Sequence, residues 1–237
     1  MRILITNDDG VGAEQLLPLI TWCRKLGDVT TFVPKVEQSG KSHGFEIHRP
    51  FEVKQVELEP GISVYTVDST PADCVRFAVL GMGLQFDLVI SGINRGLNIG
   101  ADMMYSGTVG AASEAVNLGF KAIALSTPPH YYDRAAEHLD RVFDYVFDNK
   151  LLDLNPIYNI NIPADPKEIR ITRQGGPYYS DTFPPVGNDL YRPTGYPVWK
   201  DRGDDTLDTD ATLHGYLTIT PLTIDKTNME VYRALTK

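Results

Sequence analysis

The chain has 237 residues, room for one large domain with an appendage and a sizeable core. Its 31 acidic residues outnumber 22 lysines and arginines, giving a net charge of -9 with no basic run, which excludes a nucleic-acid groove as the main surface. No stretch approaches the roughly 20 apolar residues of a membrane span, and the start lacks a long apolar signal segment, so the expectation is a soluble, unexported, cytoplasmic chain.

Residues 2–6 form an apolar run that stops at Asn7-Asp8-Asp9-Gly10. The run predicts a short strand buried on both faces. The four residues after it read either as an ordinary turn or as a site, because open α/β sheets bind ligands at the carboxyl ends of their strands. Leu16, Leu17, Leu19, Ile20, Cys23 and Leu26 recur at helical spacing with Gly27 at the stop, and residues 29–33 give a second strand before Pro34. A βαβ unit with a parallel pair follows.

Residues 35–48 lose this periodicity. Within them Gln38-Ser39-Gly40-Lys41-Ser42-His43-Gly44 is a polar loop at the same sheet edge as Asp8 and Asp9. Residues 51–56 and 62–67 alternate as a hairpin that interrupts the winding. Thr70 is expected to cap a helix with Pro71 at its first position and Asp73 near its third. The two cysteines, Cys23 and Cys74, fall among apolar helical residues and read as buried and reduced, not as a disulfide or a zinc site.

Residues 87–90 predict a strand running into a glycine-rich loop over 91–100. Ser106 and Thr108 stand at the start of a helix stopped by Gly119, where hydroxyl and N–H groups bind anions; a plain N-cap is the competing reading. Residues 122–126 predict a buried strand, 132–147 one long amphipathic helix, and 157–162 and 169–172 two further strands. Residues 174–205 are rich in Gly, Pro, Tyr and Asp without period and predict an arm or lid. A last strand over 216–222 and a short helical tail complete the chain. The expected fold class is α/β, a Rossmann-like, doubly wound, mostly parallel sheet with an added β-hairpin and an extended C-terminal arm. Residues 1–173 would be the core, and 174–237 the arm, C-terminal strand and tail, not an independent domain.

Three strand-end loops then converge on one edge: Asn7-Asp8-Asp9-Gly10, the loop through Ser39, and Ser91-Gly92-Ile93-Asn94-Arg95-Gly96. They offer two carboxylates, a serine hydroxyl and an asparagine amide. Oxygen donors of this kind suit one hard divalent ion, Mg²⁺ or Mn²⁺, and not zinc. A cation beside an anion pocket at residues 106–108 points to phosphoryl chemistry.

These motifs, with Ser69-Thr70-Pro71-Ala72-Asp73-Cys74-Val75, Tyr105-Ser106-Gly107-Thr108-Val109-Gly110, Thr209-Asp210-Ala211 and the segment 215–222, resemble in order and distance those of the SurE survival-protein nucleotidases. The resemblance covers nearly the whole chain. It implies a metal-dependent phosphatase acting on nucleoside 5'- and 3'-monophosphates, with a hairpin exchanged between subunits of a homodimer or tetramer. It also implies metal ligands at Asp8, Asp9, Ser39 and Asn94 and phosphate contacts at Ser106, Gly107 and Thr108. Val36-Glu37 departs from the family's more basic or aspartate-containing stretch, and residues 178–205 match no part of its pattern. Asp9 is the candidate acceptor for the attacking water's proton, and His43 is either an acid for the leaving oxygen or a structural loop histidine.

Two rivals stand beside this reading. A haloacid-dehalogenase-like phosphatase would need its aspartates one residue apart, and here they are adjacent. A non-catalytic nucleotide or metal sensor could use the same pocket. A nicotinamide enzyme is disfavoured because Gly-x-Gly-x-x-Gly is missing after the first strand.

Overall fold

The computed structural model describes residues 1–236. β1 (Arg2–Thr6), α1 (Leu16–Cys23) and β2 (Asp28–Pro34) form the expected βαβ unit, with Ile3 opposite Val29 in a parallel pair. The period of two along β1 divides the core between the two faces of the sheet. Ile3 and Ile5 pack with Leu16, Leu19 and Ile20 of α1, and Leu4 packs on the other face with Phe32, Cys74 and Ala111. Cys23 and Cys74 are both buried and free, as expected.

β3 (Val53–Glu59) and β4 (Ile62–Val67) make the hairpin, but β4 pairs in parallel with β2, so the hairpin extends the sheet and does not interrupt it. α2 (Pro71–Arg76) starts at Thr70, whose hydroxyl accepts the Asp73 N–H at 3.1 Å, and it widens into a π turn over Phe77–Gly81. β5 (Leu88–Arg95) pairs in parallel with β1 and runs to Arg95, where the sequence predicts loop from residue 91. The reason is a bulge. Gly92 sits at φ +140° and the register to the next strand shifts between Ser91 and Asn94, so pairing resumes beyond the glycine.

A 3₁₀ turn, Gly100–Tyr105, leads into α3 (Gly107–Asn117), followed by β6 (Ala122–Thr127), parallel to β5. The single helix expected over 132–147 is two pieces, a 3₁₀ segment Pro129–His138 and then α4 (Leu139–Asp148). Buried Tyr132 and Ala135 are three residues apart, the repeat of a 3₁₀ helix. The positions 139, 142, 143 and 146 return to α spacing. α5 (Leu151–Leu154) is one turn, β7 (Ile157–Asn161) adds in parallel to β6, and β8 (Ile169–Ile171) lies at the edge.

The arm is a ribbon. β9 (Tyr179–Thr182) pairs antiparallel with β12 (Thr194–Pro197), enclosing the short pair β10 (Pro185–Gly187) and β11 (Leu190–Tyr191). α6 (Asp208–Leu213), absent from the sequence reading, precedes β13 (Leu217–Pro221), and α7 (Met229–Leu235) ends the chain. The nine-stranded sheet runs β3-β4-β2-β1-β5-β6-β7-β13-β8. Winding leaves β1 in both directions, so β1 and β5 flank the switch point where such sheets bind ligands.

Candidate active site

Asn7 makes the turn. Its side chain accepts the Gly10 N–H at 3.1 Å and donates to the Gly10 carbonyl at 3.0 Å, which leaves both aspartates free for other work. The turn reading of this tetrapeptide therefore belongs to Asn7 and Gly10, and the site reading rests on Asp8 and Asp9.

Asp8 is buried, and its Oδ1 accepts the Thr108 hydroxyl at 2.5 Å. It faces the first turn of α3, where backbone N–H groups lack helical partners and the helix dipole is positive. Gly107 allows this approach. A Cβ there would lie 3.0 Å from the Asp8 Cβ and 3.1 Å from its Oδ2. Burial pushes the Asp8 carboxyl up to about 6, against the Thr108 hydrogen bond that lowers it, and the charge of Asp9 adds to the rise.

Asp9 is half-buried, and its Oδ2 accepts the Arg95 N–H at 3.0 Å. Burial also raises its carboxyl above the usual range, opposed by the Arg95 backbone and aided by the charge of Glu37. Next to Arg95, Asn94 donates its Nδ2 to the Gly96 carbonyl at 2.8 Å, so Oδ1 is the atom its amide offers. The β5 bulge thus delivers the Arg95 N–H to Asp9, with Asn94 the residue before it.

The Ser39 loop is tied in by backbone. The Gln38 N–H donates to the Asp8 carbonyl at 2.7 Å, while the exposed Ser39 hydroxyl donates to Glu37 at 2.7 Å. The loop is in place, but the Ser39 side chain is engaged away from the pair. Ser106 acts as the plain N-cap of α3, accepting the Val109 N–H at 3.1 Å.

His43 is a clasp. Its Nε2 meets Glu114 Oε2 at 2.6 Å, and Arg76 donates to Glu114 Oε1 at 2.7 Å. Burial would raise the Glu114 carboxyl, but the hydrogen bonds from His43 and Arg76 outweigh it and hold the group below its usual value. Together with the Ser42 N–H on the Tyr105 carbonyl at 3.0 Å, this fastens the Ser39 loop to α3. The geometry favours the structural reading of His43.

No salt bridge among the described residues reaches Asp8 or Asp9. Two adjacent carboxylates, raised by burial and lacking a paired cation, with neutral oxygens beside them, fit a hard divalent ion. No group of three or more His, Cys, Asp or Glu among the described residues is arranged for a metal.

Two contributors escape sequence reasoning. Tyr132, in sequence only the first residue of the expected helix, lines a cavity of about 210 Å³ with Asp9, Glu37 and Arg95, and its buried hydroxyl has no hydrogen-bond partner. Nothing in its local pattern marks it. Asn159 and Asn161 donate to the Asn98 carbonyl at 2.7 and 2.9 Å, fixing the segment after β5. Their signal was legible as asparagines at alternate positions of a buried strand.

Fold and site together define a doubly wound α/β protein with two adjacent carboxylates at the sheet's switch point, one of them against a helix N-terminus. The family model described as "Survival protein SurE" matches residues 3–181. The protein named 5'-nucleotidase SurE from Thermoanaerobacter sp. (strain X514) is 35% identical over 99% of this chain and 97% of its own length. Its namesake from Pelotomaculum thermopropionicum is 37% identical, covering 100% of this chain and 95% of its own. The crystal structure of the SurE protein from Aquifex aeolicus superposes with a TM-score of 0.79 at 30% identity, over 99% of this chain and 98% of that one. The chain belongs to the SurE family.

Proposed function

We propose that this protein is a metal-dependent 5'-nucleotidase, hydrolysing nucleoside 5'-monophosphates, and 3'-monophosphates as well, to nucleoside and inorganic phosphate. The observation that carries this reading is the buried Asp8 carboxylate, without a salt-bridge partner and hydrogen-bonded to Thr108 at the start of α3. The similarity to relatives named 5'-nucleotidase supports it.

In this reading Asp8, Asp9, Ser39 and Asn94 would hold one Mg²⁺ or Mn²⁺, Ser39 only on releasing Glu37. When bound, such an ion would supply Lewis-acid polarisation to the phosphoryl group and the attacking water. Ser106, Gly107 and Thr108 would bind the phosphate through the Ser106 O–H and the first-turn N–H groups of α3, the Thr108 hydroxyl being spent on Asp8. Asp9, its Oδ2 anchored by the Arg95 N–H, accepts the proton of the attacking water through its other oxygen. The nucleoside oxygen leaves with no covalent enzyme intermediate.

The test is release of free phosphate from AMP with Mn²⁺ or Mg²⁺, with EDTA as control. Metal-dependent release is expected. Tight AMP binding without release would replace this reading by the sensor, and a trapped phospho-aspartate by the haloacid-dehalogenase-like mechanism. We further propose that residues 174–237 form an exchanging arm in a homodimer or tetramer, supported by exposed Phe183, Val186, Leu190 and Tyr191 on the ribbon. The free thiols Cys23 and Cys74 support a cytoplasmic location. No helix is long and apolar enough to cross a membrane among the described residues.

A further inference from the structure

A cavity of about 640 Å³ opens on the same sheet edge, beyond the β5 side of the carboxylates. Its inner wall comes from segments leaving the carboxyl ends of three neighbouring strands, with Leu97 after β5, Pro129 after β6 and the turn after β7. Its outer wall is the root of the arm. There the rings of Tyr178 and Tyr179 meet edge-on with centroids 4.7 Å apart.

One residue links the cavity's lining to the candidate site. Gly96 lines it, and the Gly96 carbonyl holds the Asn94 amide at 2.8 Å. From the end of β1, which bears Asp8 and Asp9, to the end of β6 is two strand spacings, about 10 Å. A nucleoside extends over a comparable reach from its 5'-phosphate to its base.

One charged group lines the cavity with a free acceptor. Asp102 receives the Tyr179 N–H on Oδ2 at 2.7 Å, and Oδ1 has no hydrogen-bond donor among the described residues. An ionised carboxylate accepts but does not donate, so it complements an amino group and opposes a carbonyl at the same place. Tyr179 is exposed, and its side chain is separable from the backbone bond that anchors it.

We propose that this cavity receives the nucleobase of the substrate, with the Tyr179 ring as its stacking face and Asp102 as acceptor for an exocyclic amine, which selects amino-bearing bases. This rests on the nucleotidase reading and deepens it. The arm root is then part of the substrate site, and the bound base ties it to the loops after β5 and β6.

The Mn²⁺-loaded full-length protein is titrated calorimetrically with adenosine, and its steady-state hydrolysis of AMP, IMP and ribose 5-phosphate is compared. Adenosine binding and a lower KM for AMP than for IMP or ribose 5-phosphate are expected. Tyr179→Ala should raise the KM for AMP by about tenfold, in line with the loss of one base–aromatic stack. It should leave kcat and the KM for ribose 5-phosphate unchanged, and Tyr179→Phe should restore the wild-type value. Asp102→Asn should narrow the gap between AMP and IMP. A wild-type KM for AMP in Tyr179→Ala overturns the base site, as does adenosine binding that this variant leaves unaltered. Adenosine binding weakened by the variant, in a protein that releases no phosphate from AMP, supports the base site and overturns the nucleotidase reading instead.

Discussion

Asp8 carries two opposed demands. Its carboxyl is buried and pushed up to about 6, while in the unfolded chain it has the ordinary value of 3.8. Between those values the unfolded chain sheds the proton and the folded chain keeps it. Stability of the metal-free protein therefore falls as pH rises from about 4 to about 6, by up to about 3 kcal/mol, and stays low at pH 7. Asp8→Asn keeps the shape without the charge. The variant should lose phosphate release, yet its metal-free form should melt several degrees above the wild type at pH 7.5, with little difference at pH 4. Added Mn²⁺ should raise the melting temperature of the wild type only. Calorimetry at the two pH values, with and without metal, checks all of this; a variant melting no higher than wild type at pH 7.5, or still releasing phosphate, counts against the assignment.

Elements, more than single side chains, bring the arm to the site. Asp208 at the start of α6 accepts the Gly100 N–H at 2.9 Å on one oxygen and the Gly175 N–H at 2.7 Å on the other. This staples the arm root to the 3₁₀ turn that leads into Ser106. Gly100 sits at φ +58°, and a Cβ there would fall 1.9 Å from the Gly176 carbonyl oxygen. Gly100→Ala combines a left-handed backbone with a clash against main chain. It should cost about 2 kcal/mol or more in urea unfolding and make the arm root the first point of tryptic cleavage. Unchanged stability would mean the staple is slack. None of this was legible in the sequence, because the Gly100–Asp208 contact joins distant segments and α6 is too short and polar to show a period. The site's centre was legible because β1, the Thr70 cap and the start of α3 are local patterns that coincide with chemistry-bearing residues. The β5 bulge lies between these cases. Its glycine was visible, but that the strand resumes beyond it depends on pairing with β6, which no local pattern records.

At the scale of the molecule, the ribbon is the part that a single chain does not explain. A two-stranded ribbon is marginally stable alone in water. This one shows Phe183, Val186, Leu190 and Tyr191 at 51 to 62% exposure, and no other strand of the described residues pairs with it. An acidic chain at net charge -9 resists nonspecific association, so a specific self-contact is what would cover these side chains. Thr182 pairs with Thr194, so residues 183–193 can be replaced by Asn-Gly to close a short hairpin and leave the β9–β12 pair and the Tyr179–Asp102 bond in place. Light scattering should show the full-length protein as a dimer or tetramer and the shortened one as a monomer. The melting temperature should depend on concentration only in the former. The shortened protein should still hydrolyse AMP with its KM nearly intact, because the base site needs only the arm's root. A full-length monomer would remove the exchange proposal, whereas a shortened monomer with a KM raised as in Tyr179→Ala would show that the tip, seated on a second copy, holds the root in position.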